Sequence, residues 1–322
     1  MKPNPYDDYL KQLHEQSSTD DRFIHQAVTK ATNRDVATKK RIVAGEINEV
    51  YDVTLENDDH VIVRISGEGD EEFRREQWAI QQCKSVGVPV PETILVKTIS
   101  GQKAICIQRK IDGEPLERGV TPYRSLPEDQ LKSYIYQAGS ILSRIHTIPT
   151  DGFGYVDGKG KGEKQSFTDE MSEHLQYEKS LSKVTDDYDL DPVTMRRIFQ
   201  ILTERSQNIP DVRPVLNHND YGPKHFMVQD SRIVSIIDFG QAAGHSPIND
   251  FARWFFWYDD IPLDWLKEGY EYKSLFDSAF EETLHWIALS NGLSSLWWYV
   301  EKKYNKGVDD AFSRLKRISE YF

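Results

Sequence analysis

The stretch over residues 215–240, VLNHNDYGPKHFMVQDSRIVSIIDFG, constrains the fold of this chain more than any other segment. His218, Asp220 and His225 lie in a polar loop, an apolar run follows over residues 232–237, and Asp238 stands at its end. That run is too short and too β-branched for a helix, so it reads as a strand that presents Asp238 at its terminus, beside the loop carrying Asp220. A loop from one side and a strand end from the other then converge on one metal-sized space. Two acids set in that way suit the movement of a phosphoryl group.

The rest of the chain bounds this reading. At 322 residues it can bury a large core, and its length favours two domains or one two-lobed unit. With 40 basic and 52 acidic side chains the formal charge is −12, which argues against nucleic acid as the main partner and mildly favours cationic ligands. Cys83 and Cys106 are the two cysteines, too few for a disulfide framework or a zinc site, and they fit a reducing compartment. The opening MKPNPYDDYLKQ has no apolar signal core and no window reaches a membrane span, so the expectation is a cytoplasmic protein with no membrane partner.

Residues 5–30 read as a polar helix. From Arg41 to Ser66 apolar and polar residues alternate about a turn at Asn57–Asp59, which predicts a β-hairpin. Residues 71–85 are helical and end at Gly87 and the extended VPVPET, and residues 103–108 form another strand. From Leu131 the pattern changes: Leu131, Tyr134, Ile135, Ala138, Ile141, Leu142 and Ile145 follow the spacing of a core-facing helix. Met195, Ile198, Phe199 and Leu202 repeat it, as do Phe251, Trp254, Phe255 and Tyr258. DGFGYVDGKGKG reads as a loop and holds no GxxxxGK[ST], which disfavours a P-loop fold.

A strand-rich first part, a short connector and a helical part bearing HxD and then Asp-Phe-Gly resemble the protein kinase-like superfamily, and most closely the aminoglycoside phosphotransferase family of small-molecule kinases. The resemblance implies an α+β, bilobal fold: an N-terminal helical extension over 1–35, a nucleotide-clamping lobe over 36–108, a hinge at 109–113 and a mainly helical lobe over 114–322. It makes Asp220 the acid of HxDxxxxN, which orients the acceptor hydroxyl and takes its proton. His218 braces that loop and Asp250 of PINDFAR bonds its backbone. Asp238 becomes the ligand of a Mg²⁺ that bridges the β and γ phosphates of ATP or GTP. His225 stands where the family usually has Asn; its neutral ring nitrogen can still contact metal or phosphate, as in the macrolide kinases.

In the first lobe the resemblance sets Arg64 in the place of the phosphate-gripping lysine. Phe73, Glu76, Ile80 and Cys83 share one helical face, so Glu76 points inward and needs a cation, which Arg64 supplies. AGEINEVYDV resembles the phosphate-covering turn: Gly45 permits it, and the backbone N–H groups of Glu46, Ile47 and Asn48 reach phosphate, although an ordinary hairpin is an equal alternative. CIQRKIDGEPL resembles the linker, with the backbone of Arg109 and Ile111 on the adenine edge.

The acceptor side is the least coded. Trp254, Trp257, Asp259 and Asp260 in WFFWYDD are candidates for a wall that stacks on rings and holds cations, against the alternative of helix packing and a solvated acidic cap. The expected acceptor is a small molecule with a free hydroxyl, an aminoglycoside-type or macrolide antibiotic. DYG resembles the hygromycin-kinase loop and His225 the macrolide one. A housekeeping amino sugar or amino alcohol and a nucleotide-binding pseudoenzyme stand as alternatives. The lack of a multi-glycine loop, of HRD and of an APE-like segment argues against a protein kinase. The oligomeric state stays open.

Overall fold

A computed structural model of the chain describes residues 19–43, 48–100, 103–117, 122–206 and 212–322. Its first part is a five-stranded antiparallel sheet of β1 (Val36–Ile42), β2 (Glu49–Leu55), β3 (His60–Ser66), β4 (Thr93–Ser100) and β5 (Lys103–Arg109), in the order β1-β2-β3-β5-β4. Side chains alternate across a strand, so Val61, Val63 and Ile65 of β3 and Ile105 and Ile107 of β5 fill one face with Tyr51, Val53 and Leu55. Helix α1 (Asp21–Thr32) closes that face with Ile24 and Val28. Its start is set by Asp20, whose carboxylate accepts from the N–H of Arg22 at 2.8 Å. The continuous helix expected over residues 5–30 is therefore corrected: Thr19 and Asp20 are not helical, and a capped helix begins after them.

On the opposite face lies α2 (Glu71–Ser85), where Phe73 packs with Ala104 and Cys106. Arg64 is one step out of phase with Val63 and Ile65, so it emerges on this face, beneath α2. β4 was not anticipated. Two prolines and a glycine precede it, and those punctuating residues masked a strand that pairs with β5 from Thr93 to Ser100.

Beyond Arg109 the chain leaves this sheet, and β6 (Glu114–Pro115) pairs with β10 (Phe226–Gln229). Helices then dominate: α3 (Glu128–Ile145), α4 (Phe167–Met171), α5 (Leu181–Asp187), α6 (Pro192–Arg205), α7 (Ile248–Trp257), α8 (Leu263–Gly269), α9 (Phe280–Glu301) and α10 (Asn305–Ser319). Their apolar faces share one core, in which Ile135, Leu142, Phe226, Phe239, Phe251, Trp254 and Leu289 are wholly enclosed. The segment expected to be a loop, DGFGYVDGKGKG, instead contains β7 (Phe153–Val156) and leads into β8 (Gly162–Lys164). Its glycines hid a short strand with an irregularity between Phe153 and Val156, both of which are buried. β7 joins β12 (Ala243–His245) and β9 (Val215–Asn217), while β10 pairs with β11 (Arg232–Ile236). Among the described residues no helix is long and apolar enough to cross a membrane.

Candidate active site

Two turns meet at the mouth between the sheet and the helices. The first runs from β9 through Asp220 to a short 3₁₀ turn at Pro223–His225, and the second carries Asp238 from β11 into another at Phe239–Gln241. Both contain a residue in left-handed backbone, Asn219 at φ 64° and Asp238 at φ 67°. Such conformations persist in residues other than glycine when their surroundings hold them.

Asp250, in the first turn of α7, holds the first turn. Its fully buried carboxylate accepts from the N–H groups of His218 at 2.9 Å and Asn219 at 2.8 Å, and from His146 Nε2 at 3.2 Å. Burial alone would push its pKa up, but His146 and the backbone donors hold it below the usual carboxylate value. His218 ties the two turns together: its Nε2 donates to the carbonyl of Ile237 at 3.0 Å. Enclosed beside Phe239, the ring is neutral, its pKa lowered to about 4 by burial and by the neighbouring His225.

His225 faces both acids. Its Nδ1 donates to the carbonyl of Asp220 at 2.9 Å, which leaves Nε2 directed at Asp238 Oδ2, 3.4 Å away. On the other side of Asp238, Oδ1 lies 3.3 Å from Arg64 Nη1. Burial opposes charging the Asp238 carboxylate, yet His225 and Arg64 outweigh it and hold its pKa far below the ordinary value. Arg64 forms an ion pair with Glu76, whose side chain is fully enclosed. The helical reading of Glu76 as an inward carboxylate in need of a cation thus has its geometric counterpart.

The remaining predicted residues divide. Asn48 sends its side-chain amide to Glu72 at 3.1 Å, while Gly45, Glu46 and Ile47 lie outside the described residues. Arg109 donates its backbone N–H to the carbonyl of Glu92 at 2.9 Å, so that donor is already used. Of the backbone expected on the adenine edge, the Arg109 N–H is thus taken by the residue just before β4, the unforeseen strand.

The acceptor wall also needs correction. Trp254 is completely buried on Phe226 and has no face to offer. The buried side of α7 is Phe251, Ala252, Trp254 and Phe256, with Phe255 at the edge over His285, because α9 covers the side that Phe256 occupies. Trp257 is half-buried against Phe256 and Tyr299. Asp259 is paired with Arg314 at 3.0 Å and Arg317 at 2.7 Å, and Asp260 with Arg124 at 2.9 Å and the hydroxyl of Tyr123. These acids spend their charge within the chain, on basic residues too distant in sequence for local patterning to reveal.

Two residues at the site escaped sequence reasoning. Lys224 Nζ lies 2.8 Å from Asp220 Oδ2; burial resists the charge on Asp220, but Lys224 and His225 lower its pKa below the usual value. The lysine sits four residues after the acid, a spacing that signals a pair only if the turn is foreseen. Tyr258, just past α7, covers Gly222, where a Cβ would approach its ring to 2.3 Å. Glycine at 222 is what lets the ring close over the turn that carries Asp220.

This arrangement can be set against known proteins. Hygromycin-B 4-O-kinase of Escherichia coli is 22% identical over 195 residues, 58% of this chain and 52% of that enzyme, so the match spans about half the length of that relative. A thermostable mutant of aminoglycoside phosphotransferase APH(4)-Ia, in ternary complex with ADP and hygromycin B, superposes with a TM-score of 0.76 at 18% identity, covering 92% of this chain and 98% of that one. Spectinomycin phosphotransferase APH(9)-Ia, in complex with ADP and spectinomycin, gives 0.64 at 12% identity, over 94% and 98%. At these identities the structural likeness establishes the kinase-like fold. The model of the phosphotransferase enzyme family, APH, matches residues 38–282, most of the chain, and the protein belongs to that family.

Proposed function

We propose that this protein transfers the γ-phosphoryl group of ATP or GTP to a hydroxyl of a small, hydroxyl-rich and cationic acceptor of the aminoglycoside type. The observation that carries the reading is His225 standing between two carboxylates, bonded to the Asp220 carbonyl and facing Asp238, with the buried Arg64–Glu76 pair behind. In this reading Asp220 orients the acceptor hydroxyl and receives its proton as the loose transition state forms. Arg64 faces the nucleotide phosphates, residues 109–113 form the hinge between lobes, and Lys224 offers positive charge beside the attacking oxygen.

Among the described residues no three His, Cys, Asp or Glu side chains form a cage for a metal. Mg²⁺ does not require one, since it keeps several waters and takes one or two carboxylates plus substrate phosphates. The Asp238 carboxylate, 45% exposed, is a hard oxygen donor open to the cleft, and His225 Nε2 is a second candidate donor. These residues fit the ion. When bound, it would neutralise charge on the phosphate oxygens.

The support from relatives lies in the complexes of those phosphotransferases, one with ADP and hygromycin B and one with ADP and spectinomycin. Glu117, whose backbone N–H donates to the carbonyl of Pro223 at 3.2 Å, brings a further acidic residue to the turn that carries Asp220. The test is coupled ADP release with Mg²⁺ and ATP or GTP across hygromycin B, other aminoglycosides, spectinomycin, macrolides, amino sugars and amino alcohols. Acceptor-dependent turnover that Asp220→Asn lowers by about a thousandfold or more is the expected result. Nucleotide binding without turnover on any acceptor would overturn it in favour of a binding module.

A further inference from the structure

Arg75, on α2, is used by none of the chemistry above, yet its side chain joins three separate parts of the fold. Its Nε donates to the carbonyl of Val156 at 2.8 Å and its Nη1 to the carbonyl of Gly240 at 2.9 Å. The guanidinium lies over the ring of Tyr155, 4.5 Å from its centre, and the Tyr155 hydroxyl donates to Gln241 Oε1 at 2.8 Å. Val156 in turn donates its N–H to the carbonyl of Ala242 at 3.2 Å. The residues that follow Asp238 are therefore held in succession: Phe239 by burial, Gly240 by Arg75, Gln241 by Tyr155 and Ala242 by Val156.

The same helix turn approaches Gly240 from a second direction. A Cβ at Gly240 would come within 2.7 Å of Glu72 Oε1, so the Glu72 side chain lies directly over this turn. Glu72, Arg75 and Glu76 are neighbours at three- and four-residue spacing, and Glu76 is the partner of Arg64. One helix thus fastens Arg64 on one side and the turn after Asp238 on the other.

We propose that Arg75, backed by Tyr155, is a positioning residue for the Asp238 turn, a strut that fixes the strained backbone at Asp238 and sets α2 against it before any nucleotide arrives. This inference rests on the phosphotransferase reading only for the ligand it names. The left-handed backbone at Asp238 is costly without glycine and must be imposed from outside. The two bonds from the Arg75 guanidinium fork are charge-assisted and supply such a restraint.

The experiment compares the full-length chain with Arg75→Ala, Arg75→Lys and Tyr155→Phe by calorimetric binding of AMP-PNP with and without Mg²⁺, and by amide hydrogen exchange. Arg75→Ala is expected to weaken Mg²⁺·AMP-PNP binding about tenfold and metal-free AMP-PNP under about threefold, because the strut acts on the Asp238 turn. Exchange should quicken at residues 239–242 and along α2, and Arg75→Lys should restore part of both. Should Arg75→Ala not fold, Tyr155→Phe at a partly exposed site decides, with about two- to threefold loss of the metal-dependent affinity expected. Unchanged exchange at 239–242, or equal weakening of both nucleotide forms, overturns the strut. Failure of the native chain to bind nucleotide at all sinks the phosphotransferase reading instead, and the exchange result then still decides the strut.

Discussion

The decisive contacts at the residue scale are those that fix charge in the cleft. Lys224 is bonded to Asp220, so the residue proposed as the base also bears a cation, for which, in the proposed reaction, an incoming phosphoryl group would compete. Lys224→Ala should lower kcat by about ten- to a hundredfold while nucleotide KM changes little, with Lys224→Arg recovering part, since the charge acts on the transferring group. Steady-state kinetics on the best acceptor checks this; a loss confined to KM would assign Lys224 to binding alone. The Arg64–Glu76 pair has a different consequence, because Glu76 is fully buried and Arg64 nearly so. Glu76→Ala strands a buried guanidinium and is expected to cost about 3–5 kcal/mol of stability, read from denaturant midpoints. Glu76 was legible in the sequence because a helix has one inward face and an acid there requires a partner. Asp259 was not, since nothing local shows that Arg314 and Arg317 neutralise it.

At the scale of elements, the site depends on how α7 grips the turn before Asp220. Asp250 gives both carboxylate oxygens to that turn and also receives His146. Its folded pKa lies below the unfolded value near 3.9, so its contribution to stability is full above that value and disappears as pH falls through the folded pKa. Asp250→Asn should cost about 3 kcal/mol near neutrality and flatten the fall in stability below about pH 4, measured by urea unfolding across pH 3–7. An unaltered acid slope in a folded variant would show that Asp250 does not set it. The elements that the sequence revealed were those with a clean period. Residues 71–85 became α2 as expected and the hairpin closed about residues 57–59. β4 was missed because the prolines and glycine just before it read as punctuation, and β7 because glycine interrupts its short run; tertiary pairing overrode those weak local preferences.

For the molecule as a whole, the sheet-bearing and helical parts meet at the cleft, so a ligand that bridges them binds the folded state alone. Mass action then requires nucleotide to raise stability, by about 2.7 kcal/mol at a hundred times its dissociation constant. The two acids should separate in this measurement. Asp220 is carried by the turn that Tyr258 covers, the side proposed for the acceptor, whereas Asp238 lies between Arg64 and His225, the side proposed for the nucleotide. Asp220→Asn should therefore keep the full thermal shift with Mg²⁺·AMP-PNP, since it removes chemistry and leaves the nucleotide contacts. Asp238→Asn should lose the Mg²⁺-dependent part of the shift and keep the metal-free part, because a neutral amide is a poorer ligand for a hard cation. Thermal unfolding of the three proteins with AMP-PNP, with and without Mg²⁺, reads both effects in one experiment. Equal shifts in Asp238→Asn and the native chain would remove Asp238 from the metal site and leave the charge between Arg64 and His225 as a purely structural bridge across the cleft.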